Sequence, residues 1–536
     1  MNSKRKMWFT ILGLALGVLV GIYIQPSISG DSPYEQFRKF EQVFNQIQKS
    51  YVDNVDSPKL IEAAITGMLE ELDPHSVYIP AEQQKRVEED FRGSFEGIGV
   101  EFDVVRDTIT IVTAINGGPS EALGILAGDK ILKIDGNNAV GMKREDVPKK
   151  LRGTKGTHVV VTIFRPGSRE VKDYDIVRDK IPLYTVDAAF VDEDGTAYLA
   201  INRFAEPTYD EFMANMDRLS RQGMKRLVLD LRGNPGGYME RAVRIVDEFI
   251  SGGKEIVYTK SSRSEEREDY MSEDGQRYEK LPLIVLLNQG SASASEIVSG
   301  AIQDLDRGLV VGETSFGKGL VQKQYPLTDG SAFRLTVARY YTPSGRLIQR
   351  PYDKGKEAYY RGAEQDEQEG DNIEHTHDVP DSTKPVYKTS NGRKVLGGGG
   401  ITPDYVVKFD TLQMTTRDII RKNIIWDFTE KYINDHGQEL RKKYGEDFQR
   451  FRKEFQITDE MFSQMLEMAK KKEVDVKQNE VSTDAFDLKT RLKSRIARGL
   501  WGNNAFYQIA LEDDKQYQKA KTLFPEAMKI SRLTSR

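Results

Sequence analysis

The feature that most limits what this chain can become is a repeated exchange of hydrophobic period between residues 171 and 350. "EFMANMDRLSRQG" spaces its apolar residues as a helix, and "KRLVLDLRG" then reads as an apolar strand. "MERAVRIVDEFIS" returns to helix and "LPLIVLLN" to a strand apolar throughout. "SASEIVSGAIQDL" and "GLVVGET" repeat the exchange. A strand without a polar face has to be covered on both sides, and the intervening helices supply the cover. The pattern predicts an α/β core with a β-α-β sheet.

One core does not absorb 536 residues, so three or four domains are expected. Residues 31–92 are polar and helix-patterned, as in "FRKFEQVFNQIQKSYVD". They close on the turn-rich "LDPHSVYIP", where His75 is expected to pack and hydrogen-bond rather than catalyse. Residues 93–170 read as five or six short strands with two helices, a small barrel-like module. Residues 171–410 hold the α/β core, with 351–395 inserted as a polar, acidic loop. Residues 411–536 are helical and highly charged, an extension of undefined role.

Lys4, Arg5 and Lys6 precede the uncharged apolar run 7–24, long enough to cross a bilayer at ~1.5 Å per residue. Residues 1–30 are therefore read as a membrane anchor with a cytoplasmic N-terminus. A signal peptide cleaved near Ser27-Ile28-Ser29 is the alternative. Either reading exports the body of the chain to the periplasmic side of the inner membrane. A net charge of −5 without a long basic stretch argues against nucleic acid as a partner. The absence of cysteine removes disulfides, thiolate catalysis and zinc-cysteine sites together. His375 and His377 lie among Asp371, Glu374 and Asp378. A metal site needs fixed geometry, which that polar stretch does not offer, so neither metal nor cofactor is expected.

"VGETSFGKGL" contains the spacing of a phosphate-binding loop, yet Gly319 stands where a magnesium-binding hydroxyl belongs, and "GLVQKQYPL" reads as a strand, not a helix. On a strand, Lys318, Leu320 and Gln322 share a face. A lysine beside a neutral acceptor is free to lose its proton and act as a base. Upstream, Ser291, Ser293 and Ser295 sit at a strand-to-helix turn, where helix N-terminal amides favour developing negative charge. Simple capping of that helix, with Glu296 three residues into it, is the competing reading. "LVLDLRGNPGGYMERA" holds a second such turn, whose glycines let backbone N–H groups approach a ligand.

Together "LDPHSVYIP", "GIGV", "DLRGNPGG", "GSASASEIVSGAIQD" and "GETSFGKGLVQ" resemble, in order, the carboxy-terminal processing (tail-specific) serine proteases. The resemblance covers roughly residues 35 to 410. It implies Ser293 as nucleophile, Lys318 as general base and Gln322 as the residue that orients it. It implies the amide of Ala294 and that of Gly236 or Gly237 as oxyanion donors, with Asp304 in a supporting role. The module at 93–170 resembles a PDZ domain, in which the loop Gly97, Ile98, Gly99 and Val100 would offer backbone amides to a peptide's terminal carboxylate, with Ile98 and Val100 lining the pocket for its final side chain. The expected function is an exported, membrane-associated endopeptidase acting on proteins through their C-terminal tails, with room for self-association or an adaptor protein. A catalytically silent scaffold that gathers C-termini at the membrane is the alternative.

Overall fold

The computed structural model describes residues 32–115, 117–166, 170–263, 267–365, 384–409 and 411–533. The apolar run at 7–24 and the His375–His377 cluster lie outside them. Among the described residues no helix is long and apolar enough to cross a membrane. The chain divides into two compact units between Tyr78 and Ile79.

The first unit contains helices Pro33–Ser50 and Ser57–Glu70. Phe37, Phe40 and Phe44 line one face of the first, with ring centroids 6.4 and 6.5 Å apart. Asp56 starts the second by accepting the Lys59 N–H. In the turn that follows, the Asp73 carboxylate accepts the N–H groups of His75 and Ser76 and the Ser76 hydroxyl. His75 thus joins a turn through its backbone.

The second unit is built on a six-stranded sheet. Its strands, in spatial order, are Val186–Val191, Thr196–Ile201, Arg226–Asp230, Leu283–Leu287, Leu309–Gly312 and Tyr405–Val406. The first pair is antiparallel and the others parallel. Helices Thr208–Arg221, Met239–Asp247 and Ala294–Asp304 cover one face, where Phe212, Ile245 and Val298 meet Leu199, Leu229 and Val285. The other face, with Tyr198, Val228 and Ile284, lies beneath Tyr517, Leu523 and Phe524. Those three come from the last stretch of the chain, around helices Lys515–Thr522 and Phe524–Ile530. A second, antiparallel sheet joins Leu320–Pro326, Ala332–Tyr341, Glu255–Lys260 and Arg267–Met271.

Ahead of these strands in sequence, within the same unit, sits a module whose sheet runs Val100–Val105, Thr108–Ala114, Lys130–Ile134, His158–Arg165 and Glu170–Val177. Val100–Val105 is an edge strand, as is Glu170–Val177 at the other end. Helix Val147–Leu151 and the short Pro119–Ala122 complete it around Ile109, Ile131 and Val161. Helices Ile424–Tyr444, Asp459–Lys471 and Ala485–Trp501 form a separate core of Phe428, Leu440, Met465, Leu492 and Ile496.

Candidate active site

In the parallel sheet, the loops at the C-terminal ends of adjacent strands Arg226–Asp230 and Leu283–Leu287 come together, the usual place for a site in such a sheet. The three serines separate there. The Ser291 hydroxyl donates to Leu231 O at 2.8 Å and that of Ser295 to Asn234 O at 2.9 Å, both buried. They stitch the two loops together. Ser293 is half-buried and borders a cleft of about 940 Å³ that also touches Gly236, Gly237, Lys318 and Gln322. Ser293 is the N-cap of helix Ala294–Asp304 with φ 54° and ψ −112°, a conformation L-residues rarely adopt. That backbone is held by its surroundings. The Ala294 N–H follows it at the first turn, where helix amides are free of intrahelical partners.

The second loop supplies close backbone approach. A side chain on Gly236 (φ 98°) would lie 2.8 Å from Ser293 Cβ and 2.9 Å from Ala294 N. Its own N–H is donated to Asn234 Oδ1 at 2.8 Å. Gly237 (φ 145°) forms a parallel bridge with Phe204, in which Phe204 N–H reaches Gly236 O and Tyr238 N–H reaches Phe204 O. In such a bridge the polar groups of Gly237 itself turn to the opposite side.

Lys318 precedes strand Leu320–Pro326, which bears out the strand reading of "GLVQKQYPL" and excludes a phosphate-loop helix. Its Nζ donates to Gln322 Oε1 at 2.9 Å. A register shift between Val321 and Gln322 interrupts the ladder to Ala332–Tyr341 at this point, so strand alternation alone does not set the pair.

Two residues outside the sequence-derived set tie Ser293 to Lys318. The Glu296 carboxylate accepts the N–H of Ser293 at 2.8 Å on Oε2, and that of Lys318 at 2.8 Å on the same oxygen. On Oε1 it accepts the Gly317 N–H at 2.8 Å and the Ser315 hydroxyl at 2.5 Å. Glu296 is fully buried, and burial raises its pKa against the opposing pull of those four donors. The Tyr340 hydroxyl lies at the carbonyls of both residues, 3.0 Å from Ser293 O and also hydrogen-bonded at Lys318 O. Burial holds the Tyr340 pKa well above its ordinary value, so it remains a donor. Residues 293 and 318 are therefore clamped through both their N–H and their C=O groups. Glu296 was visible in the sequence only as a helix cap, and nothing local to Tyr340 signals its place.

Asp304 lies at the far end of helix Ala294–Asp304, which Ser293 caps. It faces Arg346 at 2.7 Å, both fully buried, and accepts the Ser344 N–H and hydroxyl. In the module, Gly97 and Gly99 flank Ile98, which is only 2% exposed and packs in the module's core. The residues bordering the groove at Val100 do not include Ile98. Its carbonyl accepts the Ser120 hydroxyl at 2.6 Å. Val100 borders a groove of about 470 Å³ with Glu101, Phe102, Arg144, Glu145 and Pro148.

Comparison with known proteins fits this arrangement. Residues 195–355 match peptidase family S41, residues 110–165 a PDZ domain, and residues 24–83 the N-terminal domain of the activating protease CtpB. Residues 415–502 match a family of unknown function. A carboxy-terminal-processing protease of Bartonella bacilliformis is 38% identical over 351 residues, which span 64% of this chain and 80% of that one. The carboxy-terminal processing protease CtpA of Bacillus subtilis is 37% identical over 356 residues, 65% of this chain and 76% of its own. The solved photosystem II D1 C-terminal processing protease is 30% identical, covering 58% of this chain and 89% of its own, with a TM-score of 0.33. A PDZ module joined to a serine-type protease core, with relatives of this identity and coverage, places the chain in peptidase family S41, among the carboxy-terminal processing serine proteases.

Proposed function

We propose that the protein is an exported, membrane-attached endopeptidase that takes hold of a substrate's free C-terminus in its PDZ groove and cleaves with Ser293 and Lys318. The neutral amine of Lys318, oriented by Gln322, accepts the Ser293 hydroxyl proton. The alkoxide attacks the scissile carbonyl, and the oxyanion rests on the N–H of Ala294 and that of Gly237. Gly237 is favoured over Gly236 because the Gly236 N–H already serves Asn234. Lys318 returns the proton to the leaving amine, and water, deprotonated in the same way, releases the acyl group. The observation that carries this reading is the clamp: Glu296 and Tyr340 hold the backbones of residues 293 and 318 side by side at one cleft. A silent scaffold has no use for it. Attachment to the membrane rests on the apolar run at 7–24.

The test uses the chain from residue 31 onward and its Ser293→Ala counterpart, incubated with an unfolded protein ending in a free apolar C-terminus or in an amide. Cleavage is expected from the first only, slower on the amidated protein, and faster as pH rises because the base is an uncharged amine. Equal cleavage by both forms overturns the role of Ser293.

A further inference from the structure

The PDZ groove does not end where the PDZ fold ends. Edge strand Val100–Val105 has one neighbour, Thr108–Ala114, among the described residues. Its first half, Val100–Phe102, borders the 470 Å³ groove against Arg144, Glu145 and Pro148. Its second half, Asp103–Val105, borders a larger groove of about 1220 Å³. The opposite wall of that groove is the helical region, with Tyr432 and Asn434 from helix Ile424–Tyr444 and Ser463, Glu467 and Met468 from helix Asp459–Lys471. The helical region is seated on the module. Arg498 lies 3.8 Å from Glu101 of the edge strand, and a side chain on Gly128 would fall 2.6 Å from Asn434 Oδ1.

A tail bound antiparallel to the edge strand, its carboxylate at Gly97–Val100, runs upstream past Phe102 toward Val105 at ~3.3 Å per residue. Its last three or so residues fill the first groove, and those before them enter the second. At the junction the Val104 N–H is donated to Asp103 Oδ1 at 2.8 Å, and the same oxygen meets Arg144 Nη1 at 2.9 Å. The Asp103 carboxylate thus caps an edge-strand donor that a tail's backbone carbonyl would take over. Val104, Tyr432 and Met468 give the second groove half-buried apolar surface for alternate side chains of an extended peptide.

We infer that the helical region spanning 415–502 is the second wall of the substrate-tail site, and that it reads apolar side chains upstream of about the fourth residue from the C-terminus. This rests on the PDZ module binding tails as proposed above. The test uses the Ser293→Ala chain and two labelled peptides with the same four apolar C-terminal residues. One is that tetrapeptide, and the other is a decapeptide extended upstream by alternating Val and Ser. Anisotropy titration is expected to show the decapeptide binding at least tenfold tighter. Ser463→Trp, at an exposed position of the far wall, is expected to abolish that advantage and leave the tetrapeptide unchanged. Glu467→Trp, also exposed, repeats the obstruction independently. Equal affinity of the two peptides in the parent overturns the inference, as does an advantage that survives both obstructions. An amidated decapeptide binding as tightly as the free one overturns the tail reading itself and the inference with it.

Discussion

At the scale of single residues, Glu296 carries more of the site than its helix-capping position suggests. Its two oxygens receive four donors, three from loop residues Ser315, Gly317 and Lys318 and one from the Ser293 N–H. An amide in its place turns an NH₂ against N–H groups that need an acceptor, and the Lys318 loop must shift. Glu296→Gln is expected to lower kcat/KM about a hundredfold, the size of effect that a displacement of roughly 1 Å produces. Its pH signature has a definite sign. Burial raises the folded pKa above the unfolded value, so the native state holds the proton longer as pH climbs. The group's contribution to stability is therefore full below ~4.3 and is lost as pH rises through the raised value. Urea midpoints of parent and variant, compared across that range, are expected to show the slope in the parent only. The sequence displayed the Ser-x-x-Glu cap because both partners lie within one turn of helix. It hid the links to Gly317 and Lys318, which lie 21 and 22 residues along the chain and meet Glu296 only through tertiary packing. The proposed preference for Gly237 over Gly236 was hidden too, since it turns on how the folded loop commits the Gly236 N–H to Asn234 and bridges Gly237 to Phe204.

At the scale of elements, helix Ala294–Asp304 is buried along its whole length. Its C-terminal end places the Asp304 carboxylate where the helix dipole opposes a negative charge. Arg346, itself fully buried, answers it at 2.7 Å and donates to Gln303 Oε1 and Leu396 O as well. Removing the cation leaves a buried carboxylate without a counter-charge, which costs about 3–5 kcal/mol. Arg346→Met is expected to lose that much in urea unfolding, and adding Asp304→Asn is expected to recover part of it. A single-variant loss under about 1 kcal/mol contradicts this account. The helix and the strand before it were legible in the sequence, because "LPLIVLLN" and "SASEIVSGAIQDL" differ so sharply in period. The Asp304–Arg346 pair was not, since nothing in a motif tells a structural carboxylate from a catalytic one.

At the scale of the whole second unit, the last stretch of the chain is part of the protease core. Tyr517, Leu523 and Phe524 cover Tyr198, Val228 and Ile284. Asp514 and Gln516 hold Arg232 of the "DLRG" segment at 2.7 and 3.0 Å. Ending the chain at Gly502 strips one face of the central sheet and leaves Arg232 with Asp230 alone. The shortened protein is expected to aggregate, or to bind a hydrophobic dye in solution, while the full chain does neither. The sequence showed these final residues only as charged helix, because their few apolar positions gain meaning from a sheet face formed some 200–330 residues earlier.

The two members of the proposed catalytic pair hang from different sheets. Ser293 follows a strand of the six-stranded parallel-rich sheet, and Lys318 leads into the antiparallel one. In the proposed mechanism the relative placement of the two sheets therefore sets the distance the proton crosses. Glu296, on the first sheet's helix, and Tyr340, in the second sheet, are the pins between the two. In the proposed mechanism these two pins fix how far apart the two sheets hold Ser293 and Lys318.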